Sequence, residues 1–224
     1  MKYLNFFIIF LFVILISCSG KDKEVEQIKD TSLDLQMIAA YKEGLEIISQ
    51  NGDSINAAKK FNEAELLFPQ SKWAPRSTLM AAYAYYKQNY YSDAINELDR
   101  YFKTYPNHNR KDYAYYLLAI CYYDQIVDEK KDLEPLIEAK KNFEYLIENY
   151  PSTDYSLDAE YKIEVIEEIL ASKEIYLARY YVDKEKWVPA INRFKKVINE
   201  YETTIYVEEA LHRLVEIHYK IGLV

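Results

Sequence analysis

Glycine and proline are scarce, at 4 and 6 of 224 residues. So few turn-formers exclude a collagen-like or Pro/Gly-rich disordered chain, and they argue against a many-stranded sandwich or barrel. Gly20, Gly44, Gly52 and Gly222 never fall in G-x-G-x-x-G or G-x-x-x-x-G-K-[ST] spacing, so neither phosphate-cradling loop can be built from them. Cys18 and Cys121 lie far apart in unlike contexts and imply no disulfide framework. Positive charge is also short: the net charge is −8 and no Lys/Arg-rich run occurs, so the basic stripe that nucleic acid requires is missing. Of the three histidines, His108 stands alone, and His212 and His218, six apart, fall on opposite sides of a helix. Ligands on one helix need three- or four-residue spacing, so no metal or other cofactor is expected. No triad or acid/base pair stands out, and no catalytic residue is assigned.

What the chain does contain is apolar and aromatic. Hydrophobic residues make up 50%, charged residues 29%, and there are 24 tyrosines. That balance describes a globular, helix-leaning chain, and the length suits one large domain or a repeat array.

Met1-Lys2 is a short positive start, and Tyr3 to Ile16 is uncharged and almost wholly apolar. About 20 residues are needed to span hydrocarbon, so this shorter run reads as a secretory segment. It ends in Leu15-Ile16-Ser17-Cys18, which resembles the lipobox of bacterial lipoproteins. The resemblance implies a signal peptide over 1–17, cleavage after Ser17, and a lipid-modified Cys18 bearing diacylglyceryl and an acyl group such as palmitate. More than one acyl chain is what stable anchoring takes. Ser19, where enterobacterial lipoproteins retained in the inner membrane carry Asp, favours the outer membrane. An ordinary signal peptide with an incidental Cys18 is the alternative. Residues 18–31, with mixed charge and little apolar content, read as a lipidated Cys and flexible tether.

The body, 32–224, repeats itself. Ala57-x3-Phe61-x7-Pro69, Ala94-x3-Leu98-x7-Pro106, Ala139-x3-Phe143-x7-Pro151 and Ala190-x3-Phe194 share one frame, and each segment ends on an aromatic: Phe68, Tyr105, Tyr150 or Tyr201. These residues resemble the second helix of a tetratricopeptide unit: a small residue for close approach, a large one filling the groove, and a proline stop. Ala81-Ala82-x2-Tyr85, Leu118-Ala119-x2-Tyr122 and Leu177-Ala178-x2-Tyr181 fit first helices, whereas Gly44-Leu45 inverts the pattern. Asn51-Gly52 reads as an inter-helix turn. Pro75, Pro135 and Pro189 fall where helices start. The expected fold is all-α: a tetratricopeptide-like solenoid of helical hairpins, with repeats near 35–69, 74–106, 111–151, 155–202 and 205–224. The marker alanines are 37, 45 and 51 apart. The surplus over a 34-residue unit falls in the charged stretch Val127 to Pro135 and in Tyr155 to Asp183, which predicts one helix of nearly eight turns. The last unit places Ala210, Leu211, Leu214 and Ile217 at helical spacing and is incomplete. Its apolar face needs cover, from further chain or from another protein.

Lipobox, tether and five irregular repeats together resemble the BamD family of outer membrane assembly lipoproteins. The detailed likeness lies in Tyr105-Pro106-Asn107-His108 followed by Asp112-Tyr113, and in Ala178-Arg179-Tyr180-Tyr181 followed by Trp187-Val188-Pro189-Ala190-Ile191-Asn192-Arg193. The resemblance implies a non-enzymatic periplasmic scaffold on the outer membrane. Its implied partners are the periplasmic domains of a BamA-like barrel subunit, unfolded β-barrel precursors, further assembly lipoproteins, and the membrane through the lipid anchor; nucleic acid is not among them. A repeat lipoprotein of a cell-division or polysaccharide-export complex is the alternative, and an enzyme with a helical superstructure lacks residues for a separate catalytic domain.

First helices line the concave groove of such arrays. The groove positions carried across are Arg76, Tyr83, Tyr86 and Lys87 in repeat two, and Tyr113, Tyr116 and Tyr123 in repeat three. Tyrosines offer rigid amphipathic surface to an extended peptide, and Arg76 or Lys87 suits a terminal carboxylate. Packing between helices, as expected for Tyr85 and Tyr122, is the plainer reading of each. Arg193 is the implied contact to the barrel subunit; the plainer reading pairs it with a carboxylate such as Glu200. Cys121 reads as a buried, inert thiol. Glu160, Glu164, Glu167 and Glu168 read as a solvated helix face.

Overall fold

The computed structural model describes residues 22–50, 52–125 and 133–222, with side chains from Ser32 onward. Cys18, the signal segment, Asn51 and most of the charged stretch 127–135 lie outside the described residues. Among those described there are nine helices and no strand: α1 (Asp22–Ser49), α2 (Ser54–Leu67), α3 (Ala74–Lys87), α4 (Tyr91–Thr104), α5 (Lys111–Tyr123), α6 (Glu134–Asn149), α7 (Asp154–Asp183), α8 (Trp187–Glu200) and α9 (Val207–Lys220). This is the all-α hairpin array that the spacing predicts. The backbone is already helical at Asp22, within the stretch expected to be a flexible tether.

The chain divides into two compact units, Met1–Ser77 and Thr78–Val224, the division falling inside α3. In the first unit α1 packs on α2. Met37, Ala40 and Ala64 form its core, and the Tyr41 ring meets Phe61 edge-on at 5.2 Å and Trp73 at 5.3 Å. Gly44 explains why the first-helix pattern is inverted here. A Cβ at Gly44 would lie 2.9 Å from Phe61 Cε1, so the smallest residue stands where the Phe61 ring approaches the α1 backbone.

In the second unit α6 packs on both α5 and α7, α8 packs on both α7 and α9, and α5 also meets α7. α6 and α8 thus each lie between their own first helix and the next one, the layout of a hairpin solenoid. The repeat frame is its core: Ala94, Ala139 and Ala190 are fully buried, as are Leu98, Phe143 and Phe194 one turn further on. Each of these large side chains contributes about 1.5–3 kcal/mol by leaving water.

All four second helices stop in the same way. Phe68, Tyr105, Tyr150 and Tyr201 are their C-caps, and each carbonyl accepts from the N–H three residues on, at Ser71, His108, Thr153 and Thr204 respectively. Pro75 and Pro135 occupy the second positions of α3 and α6, and Pro189 the third of α8, where a missing N–H costs nothing.

Helix α7 has 30 residues, about 45 Å at 1.5 Å per residue, as the surplus in the fourth unit predicts. Its first half is tied to α5 and α6 and its second half to α8 and α9. Tyr155 and Asp158 meet Tyr116, and Lys140 binds Glu167 at 2.8 Å. Further along, Glu174 binds α8 and Arg179 binds Glu209 of α9. One long helix therefore serves two neighbouring hairpins. The glutamates expected as a solvated face divide accordingly. Glu160 and Glu164 are exposed, but Glu167 holds Lys140 and Glu168 accepts from the Ile205 N–H at 3.2 Å.

In α9, Ala210 and Ile217 are buried, whereas Leu211, expected on the same face, is half exposed, in line with exposed Val215 and Tyr219. At 100° per residue, Leu211 turns away from the face that Ala210 and Ile217 press on α8.

Candidate functional site

The tyrosines of α3 and α5 form one row in the second unit. Tyr83 and Tyr86 are separated by 6.4 Å between ring centroids, and Tyr86 lies 6.1 Å from Tyr91 at the start of α4. On α5, Tyr113 and Tyr116 both meet Tyr155 of α7, at 5.7 and 5.0 Å. Tyr123 carries the Lys162 ammonium 4.8 Å above its ring. Helical spacing positions the set: residues three or four apart on α3 and on α5 present neighbouring rings. Every one of these tyrosines is half-buried, so each packs against the core as well as facing outward.

Two hydroxyls are already committed. The Tyr86 hydroxyl donates to Asp124 Oδ2 at 2.9 Å, and the Tyr116 hydroxyl donates to Asp158 Oδ2 at 2.7 Å. Burial, followed by the bond to the carboxylate, raises both phenols above their ordinary range. Burial also raises Tyr113. Asp124, Tyr155, Asp158 and Lys162 are thus parts of the row that the repeat frame does not reveal. They lie in the next repeat along, Asp124 and Asp158 at separations of 38 and 42 residues from their tyrosines, and no periodicity in the sequence marks them.

Arg76 belongs to the first unit, where its guanidinium lies 5.4 Å from the centroid of the Trp73 ring. Lys87 is exposed at the last turn of α3. Cys121 is fully buried beneath the row, and burial pushes its thiol up to about 12. Among the described residues no group of three His, Cys, Asp or Glu side chains is placed to hold a metal ion, and no helix is long and apolar enough to cross a membrane.

Arg193 stands apart from the row, on α8. Its carboxylate partner is Glu174 of α7 and not Glu200: Arg193 Nη1 donates to Glu174 Oε2 at 2.8 Å, and Lys196 Nζ donates to Oε1 at 2.9 Å. The Glu174 side chain is 9% exposed while Arg193 remains 38% exposed, so a nearly buried carboxylate holds two cations at the surface. The hydrogen bond to Glu174 raises both cations above their ordinary ranges. Beside them Ile137, Leu170 and Tyr201 complete a cleft of mixed apolar and cationic character.

The YfiO family model, described as outer membrane lipoprotein, matches residues 33–224. The chain is 37% identical over 206 residues to the outer membrane protein assembly factor BamD of Caulobacter vibrioides, covering 92% of this chain and 66% of that protein. It is 32% identical over 183 residues to the protein of the same name from Rickettsia prowazekii, covering 82% and 72%. With the Neisseria meningitidis serogroup B protein, also so named, it shares 30% identity over 209 residues, covering 89% and 76%. The chain thus spans roughly two thirds to three quarters of the length of these relatives. By the extent of that match and the helical repeat it overlies, this chain belongs to the YfiO/BamD family of outer membrane lipoproteins.

Proposed function

We propose that this chain is a lipid-anchored scaffold of the outer membrane β-barrel assembly complex, facing the periplasm. In that role it binds a BamA-like barrel subunit, helps recognise and insert barrel precursors, and acts by binding rather than by chemistry. Cys18 is the lipid attachment point, and further assembly lipoproteins are companions in the complex. The observation that carries the reading is the row of half-buried tyrosines on α3 and α5, within a chain of this family. Rigid rings at regular spacing suit an extended, apolar segment such as an unfolded barrel strand. Tyr83, Tyr86, Tyr113, Tyr116 and Tyr123 form this peptide groove, with Lys87 at its edge. Arg76, engaged with Trp73 in the first unit, is not included.

Arg193 is the contact to the barrel subunit. Glu174 occupies one of its terminal nitrogens, and the half-exposed guanidinium retains donors for a second carboxylate. The test is recovery of a BamA-like barrel with the chain from detergent-solubilised membranes after mild crosslinking. Recovery is expected from the wild type and reduced from Arg193→Glu. Because that change sets a second carboxylate against Glu174, Arg193→Gln is run beside it with helicity followed by circular dichroism. Recovery of no barrel subunit by the wild type overturns the function. Unchanged recovery by both variants overturns the role of Arg193 alone.

A further inference from the structure

We propose that Asp124 and Asp158 are positioning residues of the tyrosine groove, each fixing the hydroxyl, and with it the ring, of a tyrosine on the first helix of the preceding repeat. The proposal rests on the groove reading above and deepens it. The same device occurs twice, one repeat apart. Tyr86 of α3 reaches Asp124 at the C-cap of α5, and Tyr116 of α5 reaches Asp158 in the first turns of α7. Both bonds run between consecutive first helices, so they set the spacing of the helices that carry the groove. The second is the tighter, at 2.7 Å and partly buried, within the range of a charge-assisted O–H···O⁻ bond. Tyr155, three residues before Asp158 on the same helix, presses its ring on Tyr116 at 5.0 Å and on Tyr113 at 5.7 Å. Tyr116 is therefore held at its tip by Asp158 and along its ring by Tyr155.

The arrangement has a consequence for specificity. A phenol whose proton is given to a carboxylate no longer offers that proton to a ligand backbone. At Tyr86 and Tyr116 the groove presents ring surface and a phenol oxygen that can only accept, so an occupant meets these two positions with apolar side chains or with a donor N–H. Burial and then the bond to the carboxylate raise the pKa of both phenols, in agreement with hydroxyls that remain protonated donors.

The test uses the full chain and a labelled synthetic peptide of about ten residues with alternating apolar and polar side chains, the length of a membrane strand. Asp158→Ala is expected to weaken peptide binding about tenfold, the factor a charged hydrogen bond commonly contributes. Asp158→Asn, which keeps an acceptor oxygen, is expected to restore most of the loss. Tyr116→Phe, which keeps the ring and loses the bond, is expected to match Asp158→Ala, and the double variant to be no worse than either single one. All are measured where circular dichroism shows the chain folded. Equal affinity in wild type, Tyr116→Phe and Asp158→Ala overturns the positioning role and leaves the groove standing. An additive double variant overturns the role as well. No binding of the peptide by the wild type overturns the groove reading and this inference together.

Discussion

Tyr150 and Tyr201 end α6 and α8 in the same backbone conformation, φ −137°, ψ 49° and φ −134°, ψ 45°, although Pro151 follows the first and Glu202 the second. Each N–H closes on the carbonyl four residues back, and each carbonyl accepts from a threonine N–H three residues on. The same stop therefore forms with or without proline. The aromatic side chain packs under the turn, with Tyr201 only 8% exposed, and the turn hydrogen bonds supply the rest. Pro151→Ala is accordingly expected to change stability by less than about 1 kcal/mol, and Tyr201→Ala to cost about 3 kcal/mol, read from urea unfolding midpoints. A cost for Pro151→Ala as large as that for Tyr201→Ala would show that proline, where present, carries the stop after Tyr150.

Gly44 faces Phe61 too closely for a side chain. Gly44→Ala is expected to destabilise the chain by about 1–3 kcal/mol through overpacking. Phe61→Leu in the same background relieves the crowding, so the double variant should lose less than the sum of the single losses. Thermal unfolding of the three variants checks this, and strict additivity would refute it.

Glu209 gives the stability of the second unit an acid dependence. The Arg179 guanidinium beside it holds its carboxyl below the usual carboxylate range, with Arg179 Nε at 2.7 Å from Oε1. A depressed folded-state value contributes stability that is present above the unfolded carboxylate value and lost as pH falls through the folded one. Glu209→Gln should therefore flatten the decline in stability between about pH 5 and pH 3 while leaving the alkaline side unchanged. A wild-type slope retained by the variant would rule the pair out.

Cys121 should be silent in the folded chain. Fully buried, with a thiol pushed up to about 12, it presents neither access nor thiolate at neutral pH. In a Cys18→Ser background, a thiol reagent should react at the rate of unfolding and immediately in denaturant. Rapid reaction in native buffer would place Cys121 at the surface.

The hairpin frame is legible in the chain of residues alone. An alanine, a large apolar residue four positions on and an aromatic stop are short-range signals, and close packing leaves them one way to be buried. Ala57-x3-Phe61, Ala139-x3-Phe143 and Ala190-x3-Phe194 are all fully buried in the structure. The long α7 was legible for the same local reason, since no Gly or Pro interrupts it. The polar pairings arise only in the packed array. That Arg193 takes Glu174 and not Glu200, that Glu167 and Glu168 bind neighbours instead of water, and that the hydroxyls of Tyr86 and Tyr116 go to Asp124 and Asp158 depends on how neighbouring helices are set against one another. Such contacts join residues up to 42 positions apart. A periodic pattern states which face of a helix is buried, but the partner of a polar tip is chosen only when the next helix arrives beside it.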